Sequence, residues 1–191
     1  MSIVTHTLRA LAVVALLTVA LFAAGCASNR VIAEGPHRNL MLKGHDPVAY
    51  FTMGKPVPGK VEIALAHDGL DYRFVSEEHR RMFVANPERF VPKYGGFCSQ
   101  GAAYAVMFGG EPENFQIIND RLHIYGDAGA MKAWNSSPQK HLEYAEHYWN
   151  TEMTGTWYVL QTAKRLIFKV PHYKTGSQVQ ERLAAGKPVL E

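Results

Sequence analysis

Two cysteines, Cys26 and Cys98, are the residues of this chain best suited by type to covalent or metal chemistry. Cys26 ends an apolar run, whereas Cys98 closes the segment YGGFC at residues 94–98. A thiolate is both a nucleophile and a ligand for soft metals. The different surroundings of the two cysteines predict two separate roles, one at the N-terminus of the chain and one inside the domain.

The first 25 residues have the pattern of a secretory signal peptide. Residues 8–25 carry one charge, Arg9, and small residues lead up to Cys26. A short apolar core followed by a small-residue cleavage site is typical of such a leader. Its apolar stretch of about 15 residues is shorter than the roughly 20 that a membrane-spanning helix needs. We therefore expect residues 1–25 to be removed during export.

The end of this leader, Ala-Ala-Gly-Cys at residues 23–26, resembles a bacterial lipobox. In a lipobox the cysteine is acylated and becomes the first residue of the mature chain, and two or more acyl chains anchor a protein firmly. The resemblance implies a lipid-anchored protein of the bacterial cell envelope. Ala27 after the cysteine favours the periplasmic side of the outer membrane. The alternative is cleavage after Ala24 or Ala27, which leaves a soluble periplasmic protein.

Acylation of Cys26 would leave Cys98 as the only thiol of the chain. Export compartments favour disulfides, so an unpaired thiol there needs an explanation. Such a cysteine is buried and inert, bound to metal, or used in redox or intermolecular chemistry. Gly95 and Gly96 allow positive φ angles and a close backbone approach just before it. Amide groups around the thiol would then lower its pKa.

Composition argues against nucleic acid as a partner. The chain has 20 Lys and Arg against 17 Asp and Glu, and its basic residues form no cluster longer than a pair. Nucleic-acid-binding surfaces instead concentrate positive charge on one face. The expected organisation is a signal peptide at residues 1–25, a tether at 26–42, a domain at 43–150 and a C-terminal extension at 151–191.

Alternating apolar residues predict two β-hairpins. Residues 61–65 alternate ahead of an Asp68-Gly69 turn, and Tyr72 and Phe74 resume the alternation. Residues 115–125 repeat the pattern around Asn-Asp. Because short strands and helices follow one another in mixed order, the sequence predicts an α+β fold.

Capping residues predict the helices. Ser76 suits the N-cap of a helix whose first turn carries Glu77 and Glu78, and Asn86-Pro87 suits its end. A further helix is expected from Pro138, because apolar residues at 142, 145, 148 and 149 recur with helical spacing.

These segments together resemble the YHS domain family. The matching segments are GHDPVAYF at residues 44–51, Gly69, YRF at 72–74, Ser76, FVANPERF at 83–90, YGGFC at 94–98 and Trp134. The resemblance spans about residues 43 to 150 and is strongest to an exported subgroup of the family. It implies short antiparallel β-hairpins packed with short helices. In that subgroup selenocysteine can occupy the position of Cys98, which implies redox or soft-metal chemistry there.

Shorter YHS modules of heavy-metal transporters bind metal through cysteines, and this sequence departs from their pattern. Ala49 and Val75 stand where those modules place cysteines, and His79 stands where their helix carries another ligand. A four-thiolate zinc site is therefore excluded, because such a site needs four cysteines.

Three classes of function remain open. The leading hypothesis is that Cys98 binds copper or another transition metal, since thiolate, thioether and imidazole all bind Cu(I). The candidate partners of Cys98 are Met107, Met53, His79 and His45. The second hypothesis is a thiol oxidoreductase with Cys98 as the catalytic residue. The third is a non-catalytic interaction module of the envelope.

Residues 151–191 lie beyond the resemblance. Apolar runs at residues 157–160 and 166–168 are separated by Lys164 and Arg165. Such a mixture fits a segment that contacts a membrane surface or an envelope protein. The simpler expectation is an extra strand or helix docked on the domain.

Overall fold

The computed structural model describes residues 39–191, and the predicted signal peptide, Cys26 and residues 27–38 lie outside the described part. The chain forms an α+β fold of short helices and two separate two-stranded antiparallel sheets, as predicted. The elements are α1 (Ala49–Thr52), β1 (Lys60–His67), β2 (Leu70–Phe74), α2 (Glu77–Ala85), α3 (Pro87–Phe90), α4 (Ser99–Ala102), β3 (Glu111–Ile118), β4 (Arg121–Tyr125), α5 (Ala128–Ser136), α6 (Pro138–Tyr148), α7 (Tyr158–Ile167) and α8 (Gly176–Ala184).

The first predicted hairpin is confirmed, with one irregularity. Strands β1 and β2 pair antiparallel in the register Leu65 to Tyr72, and the turn uses Asp68 and Gly69, both at positive φ. A register shift between Lys60 and Ala64 interrupts the strict alternation. Val61, one of the residues in the predicted alternating pattern, is consequently 64% exposed.

The second predicted hairpin is also confirmed. Strands β3 and β4 pair antiparallel, and Asn119 and Asp120 at their turn have φ angles of 51° and 56°. Two consecutive residues with positive φ are typical of the type I′ turns that suit hairpins. Leu122 and Ile124 of β4 are fully buried, so this strand lies at the centre of the core.

The helix signals are confirmed at residue level. The Ser76 side chain accepts a hydrogen bond from the amide of His79 at the start of α2, and Asn86 caps its end. Pro138 stands at the first turn of α6, where a missing N–H carries no cost. Ala145 and Tyr148 are buried on the inner side of α6, as the spacing predicted.

The core consists of two hydrophobic clusters. Cluster 1 lies between the first hairpin and α2–α3, and it includes Tyr50, Tyr72, Phe74, Phe83, Phe90, Leu122 and Ile124. Cluster 2 lies between α4, α5 and α6, and it includes Cys98, Met107, Tyr125, Trp134, Ala145 and Met153. Strand β4 contributes to both clusters.

The C-terminal extension docks on the folded body. Val170, Val189 and Leu190 are buried in cluster 2. The amides of Val189 and Leu190 donate to the hydroxyls of Ser136 and Ser137 at 3.0 and 2.8 Å, which joins the chain end to the end of α5. Within residues 39–191, none of the helices combines the length and apolar character needed to cross a bilayer.

Candidate functional site

Cys98 lies where a left-handed turn meets a short helix. Tyr94, Gly95 and Gly96 have φ angles of 54°, 62° and 81°, so the predicted glycine geometry is present and extends to a tyrosine. Cys98 then occupies the N-cap of α4, and its amide donates to the carbonyl of Phe108 at 2.9 Å. Within residues 39–191 it is a free cysteine, and it is only 4% exposed.

A close backbone approach holds this turn in place. A Cβ atom added to Gly110 would lie 2.5 Å from the carbonyl oxygen of Gly96 and 2.5 Å from the side chain of Ile124. Such distances leave room for glycine alone. Gly110 therefore packs directly against the turn that carries Cys98 and against Ile124 of β4, the residue with which Cys98 forms a parallel β-bridge.

Two opposing effects act on the thiol. Burial is the larger and raises the pKa of Cys98, because it disfavours the charged thiolate. The backbone N–H groups of Gly101, Gly126 and Gln100 act against this by hydrogen bonding to the sulfur. The negative charge of Asp127 raises the pKa further. At neutral pH the site therefore holds a protonated thiol whose pKa the backbone N–H groups of these three residues lower in part.

Polar groups next to Cys98 are neutral and buried. The Ser99 hydroxyl lies 3.2 Å from Nδ1 of His123, and both residues are at most 1% exposed. Burial, followed by the charges of Lys93 and Arg121, lowers the pKa of His123 to about 3. Sequence reasoning did not single out this pair. The adjacency of Ser99 to Cys98 was visible, but its contact with β4 depends on tertiary packing.

Met107 is the sequence-predicted partner that the fold brings to the same neighbourhood. It is 3% exposed and belongs to cluster 2 together with Cys98. The carbonyl of the next residue, Phe108, accepts the hydrogen bond from the amide of Cys98. A thiol and a thioether thus share one buried region, and both are ligands of soft metals.

His79 is engaged elsewhere. Its Nδ1 lies 2.7 Å from the carboxylate of Asp46, and its Nε2 lies 3.2 Å from the hydroxyl of Thr52. Asp46 is fully buried and also accepts hydrogen bonds from the amides of Val48 and Val75. This carboxylate therefore joins the turn before α1, the end of β2 and the start of α2.

The order Asp46, His79, Thr52 has the connectivity of an orienting acid, a base and a hydroxyl nucleophile. The Thr52 hydroxyl, however, also lies 3.1 Å from the carbonyl of Val48, a hydrogen-bond acceptor at the N-cap of its own helix. The carbonyl thus competes with the imidazole for the hydroxyl proton. We interpret the group as a structural connection beside cluster 1.

His45 and Met53 also lie outside cluster 2. Nδ1 of His45 is 2.9 Å from the carbonyl of Leu42, and its Nε2 is 3.8 Å from the carboxylate of Glu113. Met53 follows α1 and is 49% exposed. Among residues 39–191, no group of three or more His, Cys, Asp and Glu side chains is placed to hold a metal ion.

A cavity of about 360 Å³ borders the cysteine segment on its outer side. Gln100, Gly101 and Asp127 line one wall, and the C-terminal extension lines the other with Arg165 and Lys169. Two of these residues, Gln100 and Gly101, have backbone amides that lower the pKa of Cys98. The extension thus faces helix α4 across this cavity.

Comparison with known proteins gave no relatives: no family model, no curated protein and no solved structure matches this chain.

Proposed function

We propose that this chain is a lipoprotein of the bacterial cell envelope whose YHS-like domain binds a soft metal ion, with copper as the leading candidate, through Cys98 and Met107. The observation that carries the proposal is the placement of a buried thiol and a buried thioether in one cluster. His79 and His45, the other predicted ligands, have hydrogen-bonding partners beside cluster 1. Of the predicted ligands, the two that share cluster 2 are therefore both sulfur donors.

The raised pKa of Cys98 leaves little of the thiolate that both a nucleophilic mechanism and metal binding require. A thiol with a raised pKa is a weak nucleophile at neutral pH, because little thiolate is present. A soft metal ion instead displaces the proton, and the affinity then increases with pH. The amides of Gly101, Gly126 and Gln100 favour the negatively charged sulfur that remains. Burial also shields the ion from water and oxidants.

Competition for Cu(I) against a chromophoric chelator tests this proposal on residues 39–191, which contain both core clusters. Cys98→Ser is expected to lower the affinity by at least about 100-fold, and Met107→Leu by about tenfold, since even outer-shell changes cost about 10–100-fold. Met53→Leu is the matched control, because it makes the same change at an exposed methionine. Equal and weak binding by wild type and Cys98→Ser would remove the metal proposal.

The second candidate function is a thiol oxidoreductase, and the three backbone amides that lower the pKa of Cys98 favour it. In that reaction the Cys98 thiolate attacks the O–O bond of a peroxide, giving the sulfenic acid and releasing water or an alcohol. It requires an accessible thiol with a lowered pKa. Stopped-flow oxidation by hydrogen peroxide distinguishes the two candidates: rapid oxidation of Cys98 without metal supports the oxidoreductase.

A further inference from the structure

Helix α7 is oriented with its polar side toward the protein. Gln161 is 2% exposed and donates from its side chain to the carbonyl of Ala105 at 3.0 Å. Arg165, one helical turn later, forms an ion pair with the half-buried carboxylate of Glu152. Soluble proteins usually bury the apolar side of such a helix. The residues that hold α7 in place are instead its hydrogen-bonding ones.

The outer side of α7 is apolar. Leu160, Ala163 and Ile167 follow one another at spacings of three and four residues, so they share one face. Leu160 is 59% exposed and Ile167 is 73% exposed. Among residues 39–191, seven of the thirteen exposed large apolar side chains fall within residues 157–168. Clustered exposure of this kind marks an interaction surface, whereas single exposed side chains do not.

We name residues 157–168 the apolar ridge. Its members with exposed apolar side chains are Trp157, Tyr158, Val159, Leu160, Leu166, Ile167 and Phe168. Aromatic residues stand at both ends, Trp157 and Tyr158 at the start and Phe168 at the finish. Trp and Tyr prefer the boundary between lipid and water, where the ring is apolar and the polar atom stays wet.

The charge around the apolar ridge is positive. Residues 153–180 contain no Asp or Glu and four basic side chains, Lys164, Arg165, Lys169 and Lys174. Lys164 and Arg165 balance Glu152, whereas Lys169 and Lys174 add positive charge beside the same cavity. An exposed apolar strip with basic residues alongside matches the surface of a membrane that contains anionic phospholipids.

We propose that the apolar ridge docks on the surface of an anionic phospholipid membrane, with α7 lying in the plane of the interface. The proposal does not depend on the chemistry of Cys98. It is compatible with acylation of Cys26, because residues 27–38 span at most about 40 Å when extended. A folded body held that close to a bilayer meets the lipid surface continually.

Vesicle co-flotation of residues 39–191 tests the proposal without the lipid anchor, so that its failure is distinct from failure of the lipoprotein assignment. The vesicles are phosphatidylethanolamine with 30% phosphatidylglycerol, and pure phosphatidylcholine is the neutral comparison. We expect binding to the anionic vesicles, weakening as salt is raised. Leu160→Asp and Ile167→Asp should each lower the partition coefficient at least about tenfold. Val84→Asp is the control, because Val84 is 58% exposed on helix α2.

Sedimentation velocity on the same proteins shows whether a second copy of this chain, and not a membrane, covers the apolar ridge. A dimer that both ridge substitutions abolish, without vesicle binding, would overturn the membrane proposal in favour of a second copy of this chain. A monomer that does not float with either kind of vesicle would also overturn it. Equal flotation of wild type and both ridge variants would place the contact with lipid elsewhere on the body.

Discussion

At the scale of single residues, burial is the largest influence on the pKa of the Cys98 thiol. Its raised pKa predicts slow alkylation of the native protein at neutral pH. We expect the midpoint of the iodoacetamide rate against pH to lie above the free-thiol value of about 8.5, and to return to that value in guanidinium chloride. The measurement is a pH series of alkylation rates followed by mass spectrometry. A native midpoint below 8.5 would favour the oxidoreductase instead.

Buried histidines predict a loss of stability in acid. Burial lowers the pKa of His141 to about 4, so in the folded protein it binds its proton far less readily than in the unfolded chain. Between pH 6.5 and pH 4 the unfolded state therefore binds more protons, and stability falls as the pH falls. For this residue the loss between pH 7 and pH 5 is about 2 kcal/mol.

Urea unfolding of the folded body at pH 7 and pH 5 measures this effect. His141→Gln should reduce the difference between the two pH values by about 2 kcal/mol. His147→Gln, an exposed histidine on the same helix, should leave it unchanged. The same pH dependence in all three proteins would contradict the assignment of His141 as a buried neutral group.

At the scale of elements, the turn that carries Cys98 requires a residue without a Cβ atom at position 110. Gly110→Ala should destabilise the folded body by about 1–3 kcal/mol, because the added Cβ meets a backbone carbonyl and a buried isoleucine. Gly109→Ala should change it by less than about 0.5 kcal/mol, since nothing lies within 4 Å of a Cβ there. Thermal or urea unfolding compares the pair. Equal stability of both variants would contradict the close approach.

Local signals were sufficient for most elements but not for the site. The Asp68-Gly69 turn and the Ser76 cap act over a few residues, and both appear where the sequence predicts them. The partner of His79, Asp46, is 33 residues away, so spacing along the chain carried no signal of that contact. The orientation of α7 could not be predicted from the sequence either. The sequence shows its apolar runs, but the side that faces the body is set by the contacts of Gln161 with the Ala105 carbonyl and of Arg165 with Glu152.

At the scale of the whole molecule, the folded body is expected to follow a lipid anchor at Cys26, which lies outside the described residues. In a bacterial host, Cys26→Ser should abolish labelling by radioactive palmitate and change processing of the leader. Cys98→Ser is the matched control and should leave both unchanged. If the Cys26 variant is processed like wild type and the wild-type protein is soluble, the lipoprotein assignment is wrong. Cys26 would then be available to pair with Cys98.

The identity of the atoms that coordinate the bound copper ion tests most directly the proposal that Cys98 and Met107 bind it. Copper K-edge X-ray absorption on Cu(I)-loaded residues 39–191 reports which atoms surround the ion. We expect coordination by sulfur in the wild type, with one sulfur fewer in Met107→Leu and no specific site in Cys98→Ser. A spectrum dominated by nitrogen or oxygen, and unchanged by Cys98→Ser, would contradict the proposal.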